Sequence, residues 1–259
     1  MTEPGQPNIL IITGTGTGVG KTVVTAAVAA LAAAAGQRTA VVKPAQTGVH
    51  DGPGSDTPDL ETVTRLAGVT DTHELARFPD PLSPEAAARV SGLPPADLGA
   101  AAAVIEELAA DRDLVLVEGA GGLLVRYDPA GATIADLAAA LDAPALVVTT
   151  PGLGTLNHTA LTLEALAARK IRLAGLVVGS WPDEPGLAER ENLADLELLA
   201  GGPLAGLLPA GSGALTGPRF RAVARRGLAP SLGGSRKHSL GGSRQHSLGG
   251  SRQHSPGGS

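Results

Sequence analysis

The sequence predicts an α/β fold, a mostly parallel β-sheet with helices on both faces. Three observations predict it. Six short apolar runs (residues 8–13, 39–42, 114–117, 144–149, 173–178 and 203–208) show little polar alternation, the pattern of strands buried on both sides. Segments of helical length, rich in Ala and Leu, stand between them. Polar or Gly-rich clusters follow the runs, at the carboxyl ends of strands, where open parallel sheets bind ligands.

The elements follow in order. Val23 to Ala35 is a helix without Gly or Pro, stopped by Gly36. The second strand, Thr39 to Val42, ends at Lys43-Pro44, and a polar, Gly-rich loop runs from Ala45 to Pro58. Thr57 is expected to cap the next helix, with Pro58 at its first position and Gly68 at its end. Ser83-Pro84 opens another helix in the same way, and Asp97 caps a third that reaches Ala110. Thr133 to Asp136 reads as a capping box. Thr155 is expected to cap a helix over 156–169. Further helices are expected over about 187–199 and about 218–226.

The chain of 259 residues is 43% hydrophobic but only 2% aromatic, so its core is Ala, Leu and Val. It has no cysteine, which excludes disulfides, thiolate metal sites and a cysteine nucleophile. No apolar run reaches membrane-spanning length and no signal-like leader is apparent, so a cytoplasmic protein without membrane contact is expected. The final 29 residues repeat an eight-residue unit that begins Ser231-Leu-Gly-Gly-Ser-Arg-Lys-His238. With almost nothing apolar to bury, they are expected to be a disordered tail on a domain ending at residue 230. A metal-binding role for the tail's His238, His246 and His254 is the weaker reading. Without the tail, the body carries 16 basic and 25 acidic residues, a net charge of −9, which argues against a nucleic-acid surface.

The chemistry centres on Gly14-Thr-Gly-Thr-Gly-Val-Gly-Lys-Thr22, set between a strand and a helix. Glycines let successive N–H groups turn toward an anion, and the helix N-terminus adds unpaired donors. Lys21 would reach the terminal phosphates and Thr22 would offer its hydroxyl to Mg2+. Five residues, Thr15 to Val19, separate the first Gly from Gly20, one more than in the common phosphate-loop pattern. Asp59, in a helix's first turn, and Glu118, at the end of an apolar strand, are candidate metal carboxylates. Lys43, at a neighbouring strand end, is a candidate partner for a transferring phosphoryl group. Up to residue 230 the only lysines are Lys21, Lys43 and Lys170, so the placement of the first two is notable.

Four segments in order, residues 14–22, Lys43-Pro-Ala-Gln-Thr-Gly48, Glu118-Gly-Ala-Gly-Gly122 and Gly154-Thr-Leu-Asn-His158, resemble the dethiobiotin synthetases, over residues 8 to about 226. The resemblance implies a fold of the P-loop NTPase type. It also implies a cyclo-ligase of biotin synthesis that joins 7,8-diaminononanoate and CO2 (or bicarbonate) at the cost of ATP. It places Thr22, Asp59 and Glu118 on the metal and gives Lys21 and Lys43 the catalytic roles. It places Gly18, Val19, Gly20, Lys21, Thr22, Val23, Asp59 and Glu118 around the nucleotide, with Gly119, Ala120 and Gly121. Gly179, Ser180, Pro209, Ala210 and Gly211 complete the nucleotide site. Thr47 and Gly122 would touch substrate, as would Leu153 and Asn157 from the second subunit of a homodimer.

The sequence departs from the family pattern at the base site. No Asn is evident at Gly179-Ser180-Trp181, so base reading is expected to rest on backbone groups and stacking, and other nucleoside triphosphates are expected to be accepted. Two rivals share the phosphate loop. A glutamine-dependent amidoligase would need a cysteine that this chain lacks. A partitioning or cell-division ATPase would carry a second lysine early in the loop, where Thr15 and Gly16 stand.

Overall fold

The computed structural model describes residues 8–50, 52 and 55–237. Seven strands form one parallel sheet in the order β3-β2-β4-β1-β5-β6-β7. They are β1 (Ile9–Gly14), β2 (Thr39–Lys43), β3 (Thr72–Glu74), β4 (Leu114–Glu118), β5 (Ala145–Thr149), β6 (Leu173–Trp181) and β7 (Gly206–Pro209). Among the described residues, eight α-helices connect and cover them: α1 (Lys21–Ala34), α2 (Asp59–Ala67), α3 (Pro84–Ser91), α4 (Leu98–Asp111), α5 (Ile134–Ala140), α6 (Thr155–Ala168), α7 (Leu187–Leu199) and α8 (Gly217–Gly227).

Parallel neighbours cannot be joined by a tight turn, so the chain must cross over a face between them. It does so on both sides. Leu10 and Ile12 of β1 pack with α1, α2 and α8, whereas Ile9 and Ile11 pack with α3 to α7. The apolar runs are therefore continuous because both faces are covered. Alanine lets α1 lie close on the sheet, and most of its residues are buried. Among the described residues, no helix is long and apolar enough to cross a membrane.

Several boundaries differ from expectation. Pro58, not Thr57, is the N-cap of α2, and it has no side-chain cap of its own. Thr155 is the first residue of α6 rather than its cap; Gly154, in the left-handed region, takes the cap position. The sequence reading missed β3, a three-residue, half-buried edge strand. Gly179, Ser180 and Trp181 continue β6 instead of leaving it. The last strand begins at Gly206 rather than Pro203.

The boundary expected at residue 230 is too early. Leu232 is buried in the core under α1 and α8. Arg236 donates to the Leu204 carbonyl at 2.9 Å, and the Ser235 hydroxyl donates to the Arg225 carbonyl at 3.1 Å. One buried leucine and these bonds are enough to dock the first seven residues of the repeat. The remaining repeats, with His238, His246 and His254, lie outside the described residues.

Candidate active site

The register of β1, β2 and β4 assembles the site. Ile12 pairs with Glu118 across β1 and β4, and Val42 pairs with Val117 across β2 and β4. Lys43 and Glu118 therefore end adjacent strands side by side. Lys43 is 3% exposed and Glu118 1%. The Lys43 ammonium lies 3.0 Å from Glu118 Oε1 and 2.6 Å from Asp59 Oδ2, and it also donates to the Gly119 carbonyl at 3.2 Å. Thr22 Oγ1 is 2.7 Å from Asp59 Oδ1 and 2.9 Å from Glu118 Oε1.

Charge explains this compactness. Burial alone would pull the Lys43 proton off. Glu118 and Asp59 outweigh it and hold the ammonium charged, above the ordinary lysine range. Burial likewise works against an ionised Asp59, but Lys43 outweighs it and keeps this carboxyl below its ordinary range. Among the described residues, no carboxylate lies within ion-pair distance of Lys21. Its ammonium folds back to the Gly16 carbonyl at 2.9 Å. Burial, with the charge of Lys43 added, lowers its pKa to about 8.

Between β1 and α1 the phosphate loop turns with Gly18 and Gly20 at positive φ. A Cβ on Gly20 would meet the Gly179 carbonyl oxygen at 2.9 Å, and a Cβ on Gly179 would meet the Val19 carbonyl oxygen at 2.1 Å. The loop thus rests on the backbone of β6, and Gly179 buttresses it. Side chains added at Gly16 or Gly18 would meet open space. Val19 turns its side chain inward against Gly14.

A cleft of about 590 Å³ opens over this cluster. Gly18, Gly20, Lys21, Thr22, Val23, Lys43, Thr47, Asp59, Glu118, Ala120 and Gly121, all named from the sequence as candidates, line it. Gly122 packs against Gly14 and Gly16 just beyond it. Ser180, Pro209, Ala210 and Gly211 do not line this cleft. They sit at the β6 and β7 ends, where Ala210 N–H donates to the Trp181 carbonyl at 2.6 Å. Leu153 and Asn157 also lie outside it, exposed at the start of α6, with Leu153 94% exposed. Trp181 packs against the core on the α3–α7 face.

Two contributors were not read from the sequence. Gln46 is buried, and its Oε1 accepts the Asp59 N–H at 3.0 Å. It supplies the cap that Thr57 was expected to give, and so fixes the start of the helix bearing Asp59. Tyr127 is fully buried, and its hydroxyl accepts from Ala120 N–H at 2.7 Å, which holds the Gly119–Gly122 turn. Burial raises its pKa, so it stays a neutral phenol.

The donors suit Mg2+. Thr22, Asp59 and Glu118 offer only oxygen, as a hard cation prefers, and Glu118 Oε2 is buried without a hydrogen-bond partner. Among the described residues, no group of three or more His, Cys, Asp or Glu forms a metal cage. An ion here needs phosphate oxygens as well, the usual arrangement for Mg2+ with a nucleotide.

Fold, loop and cluster together define a P-loop nucleotide-binding protein. A family model described as an AAA domain matches residues 8–214. Solved structures with the same fold include the septum site-determining protein MinD of Pyrococcus horikoshii complexed with Mg-ADP. It is 18% identical, covers 87% of this chain and 93% of its own, and has a TM-score of 0.53. A ParA family ATPase from Chlorobium tepidum also gives a TM-score of 0.53, at 13% identity, covering 84% and 97%. At such identities the likeness concerns the fold alone.

Relatives narrow the class. Proteins named ATP-dependent dethiobiotin synthetase from Parafrankia sp. (strain EAN1pec) and Frankia casuarinae are 62% and 65% identical over 228 and 226 residues. These spans are 88% and 87% of this chain and 94% of each relative. The namesake from Streptomyces coelicolor is 56% identical over 227 residues, 88% of this chain and 94% of its own. The chain belongs to the ATP-dependent dethiobiotin synthetase family.

Proposed function

We propose that the chain closes the ureido ring of dethiobiotin from 7,8-diaminononanoate and CO2 while converting ATP to ADP and phosphate. The observation that carries this reading is the Lys43–Asp59–Glu118–Thr22 cluster at the mouth of the phosphate loop. One amine of the diamine adds to CO2 and loses a proton, giving a carbamate. A carbamate oxygen then attacks the γ-phosphorus, and ADP leaves. The second amine attacks the carbonyl carbon of this mixed anhydride, loses a proton and expels phosphate. Both early steps gather negative charge where two ammonium groups stand. Lys43, kept charged by its carboxylates, faces the carbamate oxygen and the transferring phosphoryl. Lys21 and the loop N–H groups hold the β- and γ-phosphates. Thr22, Asp59 and Glu118 would hold Mg2+, whose chemistry is to neutralise the developing phosphate charge. The Gly119–Gly122 turn, held from behind by Tyr127, lines the substrate side with Thr47. A cytoplasmic location goes with this reading.

Because Leu153 and Asn157 lie outside this chain's cleft, we assign them to the site of a second subunit in a homodimer. Production of dethiobiotin from diamine, bicarbonate and ATP tests the reaction. Single turnover with 18O-labelled CO2, quenched before exchange with water, tests the sequence of steps: one labelled oxygen is expected in the phosphate. Unlabelled phosphate would contradict the anhydride. Mixing Asn157→Ala with Lys43→Ala subunits tests the dimer. Random exchange should restore about a quarter of wild-type activity per subunit. No recovery after proven exchange would put both residues in one subunit's site.

A further inference from the structure

The chemistry above leaves a group of threonines at the end of β5 unused. Thr149 ends β5 and is fully buried. Its Oγ1 lies 2.8 Å from Thr155 Oγ1, 3.0 Å from Thr159 Oγ1 and 3.3 Å from Thr15 Oγ1. Thr155 Oγ1 lies 2.5 Å from the Thr150 carbonyl oxygen.

Counting protons gives each contact a direction. A hydroxyl has one proton and two lone pairs, whereas a carbonyl oxygen can only accept. The Thr155 proton therefore goes to the Thr150 carbonyl. The contact between Thr149 and Thr155 is then a donation by Thr149. With its proton used, Thr149 accepts from both Thr15 and Thr159. Its whole hydrogen-bonding capacity is spent, in a place where an unmade bond is costly.

These bonds join two segments of different duty. Thr15 belongs to the phosphate loop, and Thr155 and Thr159 form the first turns of α6. The turn before α6 is tied from its other side by Asn192 of α7, whose Nδ2 donates to the carbonyls of Pro151 at 2.8 Å and Gly152 at 3.1 Å. Leu153 is thus an exposed side chain on a backbone pinned from two directions.

We propose that Thr149 is a positioning residue. Through Thr15 it holds the phosphate loop against the first turn of α6, so one hydroxyl sets the geometry of both the nucleotide loop and the Leu153–Asn157 segment. The proposal rests on the reading that this segment contacts substrate. Valine would fill the same volume at residue 149 but would leave the buried Thr159 hydroxyl without its acceptor and strip Thr15 of its side-chain bond, so that the loop is tied to β5 at this residue through the backbone bond from Thr15 N–H to the Val148 carbonyl, 3.0 Å.

The test uses the full chain with Thr149→Val, Thr149→Ser and Thr15→Val, well below each variant's melting temperature. Calorimetry gives Kd for a non-hydrolysable ATP analogue, and steady-state kinetics give KM and kcat for the diamine. Thr149→Val should raise both Kd and KM by about tenfold, the scale of one lost buried hydrogen bond, with kcat within about twofold of wild type. Thr149→Ser should restore both constants. Thr15→Val should raise the diamine KM although it alters only the loop end of the chain of bonds. A Thr149→Val protein that melts earlier but keeps both constants would overturn the proposal, leaving the hydroxyls as core filling. So would a Thr15→Val protein with altered nucleotide affinity and an unchanged diamine KM. If Thr149→Val fails to fold, Thr15→Val decides. A wild-type enzyme that binds nucleotide but does not use the diamine would contradict the proposed function. The nucleotide Kd of Thr149→Val would still read the link.

Discussion

At the ends of β2 and β4, two carboxylates, an ammonium and a hydroxyl crowd together, Lys43 and Glu118 buried and Asp59 and Thr22 half-buried. At the ends of β6 and β7, the end assigned here to the nucleotide base, the groups presented are mostly backbone. There Ala210 N–H is spent on Trp181, the Ser212 hydroxyl donates to the Pro209 carbonyl at 2.5 Å, and the following turn is held by Arg65, which donates to the carbonyls of Gly213 at 2.8 Å and Leu215 at 3.2 Å. The Arg65 charge is spent on those exposed turn carbonyls, whereas the other end gathers buried ionised groups over the cleft. Ionised groups in a desolvated site bind and discriminate strongly. A frame of backbone carbonyls and N–H groups can meet more than one base through small shifts or a water. On the function proposed above, the contrast puts the free energy of nucleotide use in phosphate and metal and hardly in the base, an expectation that the predictions below test.

The largest expected effect comes from breaking the charged end. Lys43→Met should lower turnover by roughly 100-fold or more while nucleotide affinity stays near normal, since Lys21 and the loop remain. It should also destabilise the metal-free protein, because removing one partner of a buried ion pair costs about 3–5 kcal/mol. Mg2+ should recover more of the melting temperature in this variant than in wild type. Near-normal turnover would remove Lys43 from the chemistry.

A smaller effect, about tenfold per pH unit, should come from Lys21. Its folded pKa is lowered to about 8, so the free site loses this charge above that pH, and the phosphates need it. Nucleotide affinity should be highest below pH 8 and fall above it. Calorimetric titrations of an ATP analogue from about pH 7 to about pH 9.5 measure this. A flat profile would mean that Lys21 does not titrate there. The same shift has a stability sign. Between pH 8 and 10.5 the unfolded chain holds the Lys21 proton and the folded one does not. This residue's contribution therefore favours folding as pH rises through that window.

The charged end was far more legible in the sequence than the base end. Lys21, Thr22, Lys43, Asp59 and Glu118 each sit at a strand end or helix start, so the local pattern announces the place and the parallel register brings them together. Gln46 was missed because it acts on a residue 13 positions away, through a loop with no regular period. The hydroxyls around Thr149 were missed for a similar reason: threonine is common in strands, and Thr15 meets Thr149 across 134 positions. The end of β6 was misread because Gly179-Ser180 beside Pro182 carries turn chemistry, while pairing with β7 holds Trp181 extended. The sequence reading stopped the domain at Pro230 because one leucine in a Gly- and Ser-rich repeat gives no periodic signal, yet Leu232 finds the core.

The smallest effect lies far from both ends. A chain ending at residue 230 loses Leu232 and the Arg236 bond, and its melting temperature should fall by about 4–8 °C per kcal/mol lost, or about half that for a domain of this length, with kcat unchanged. A chain ending at Lys237 should melt like the full chain. Equal melting temperatures for the two truncations would mean that the docked segment contributes nothing.

The contrast between the two ends is tested most directly by kcat/KM for ATP, CTP, GTP and UTP at saturating diamine and bicarbonate. If phosphate and metal supply most of the affinity and the base meets only backbone and stacking surfaces, all four should support dethiobiotin formation within about 100-fold of one another. A preference for ATP beyond about 10³-fold would contradict the account, because discrimination of that size requires a buried side chain that pairs with adenine and is left unpaired by the other bases.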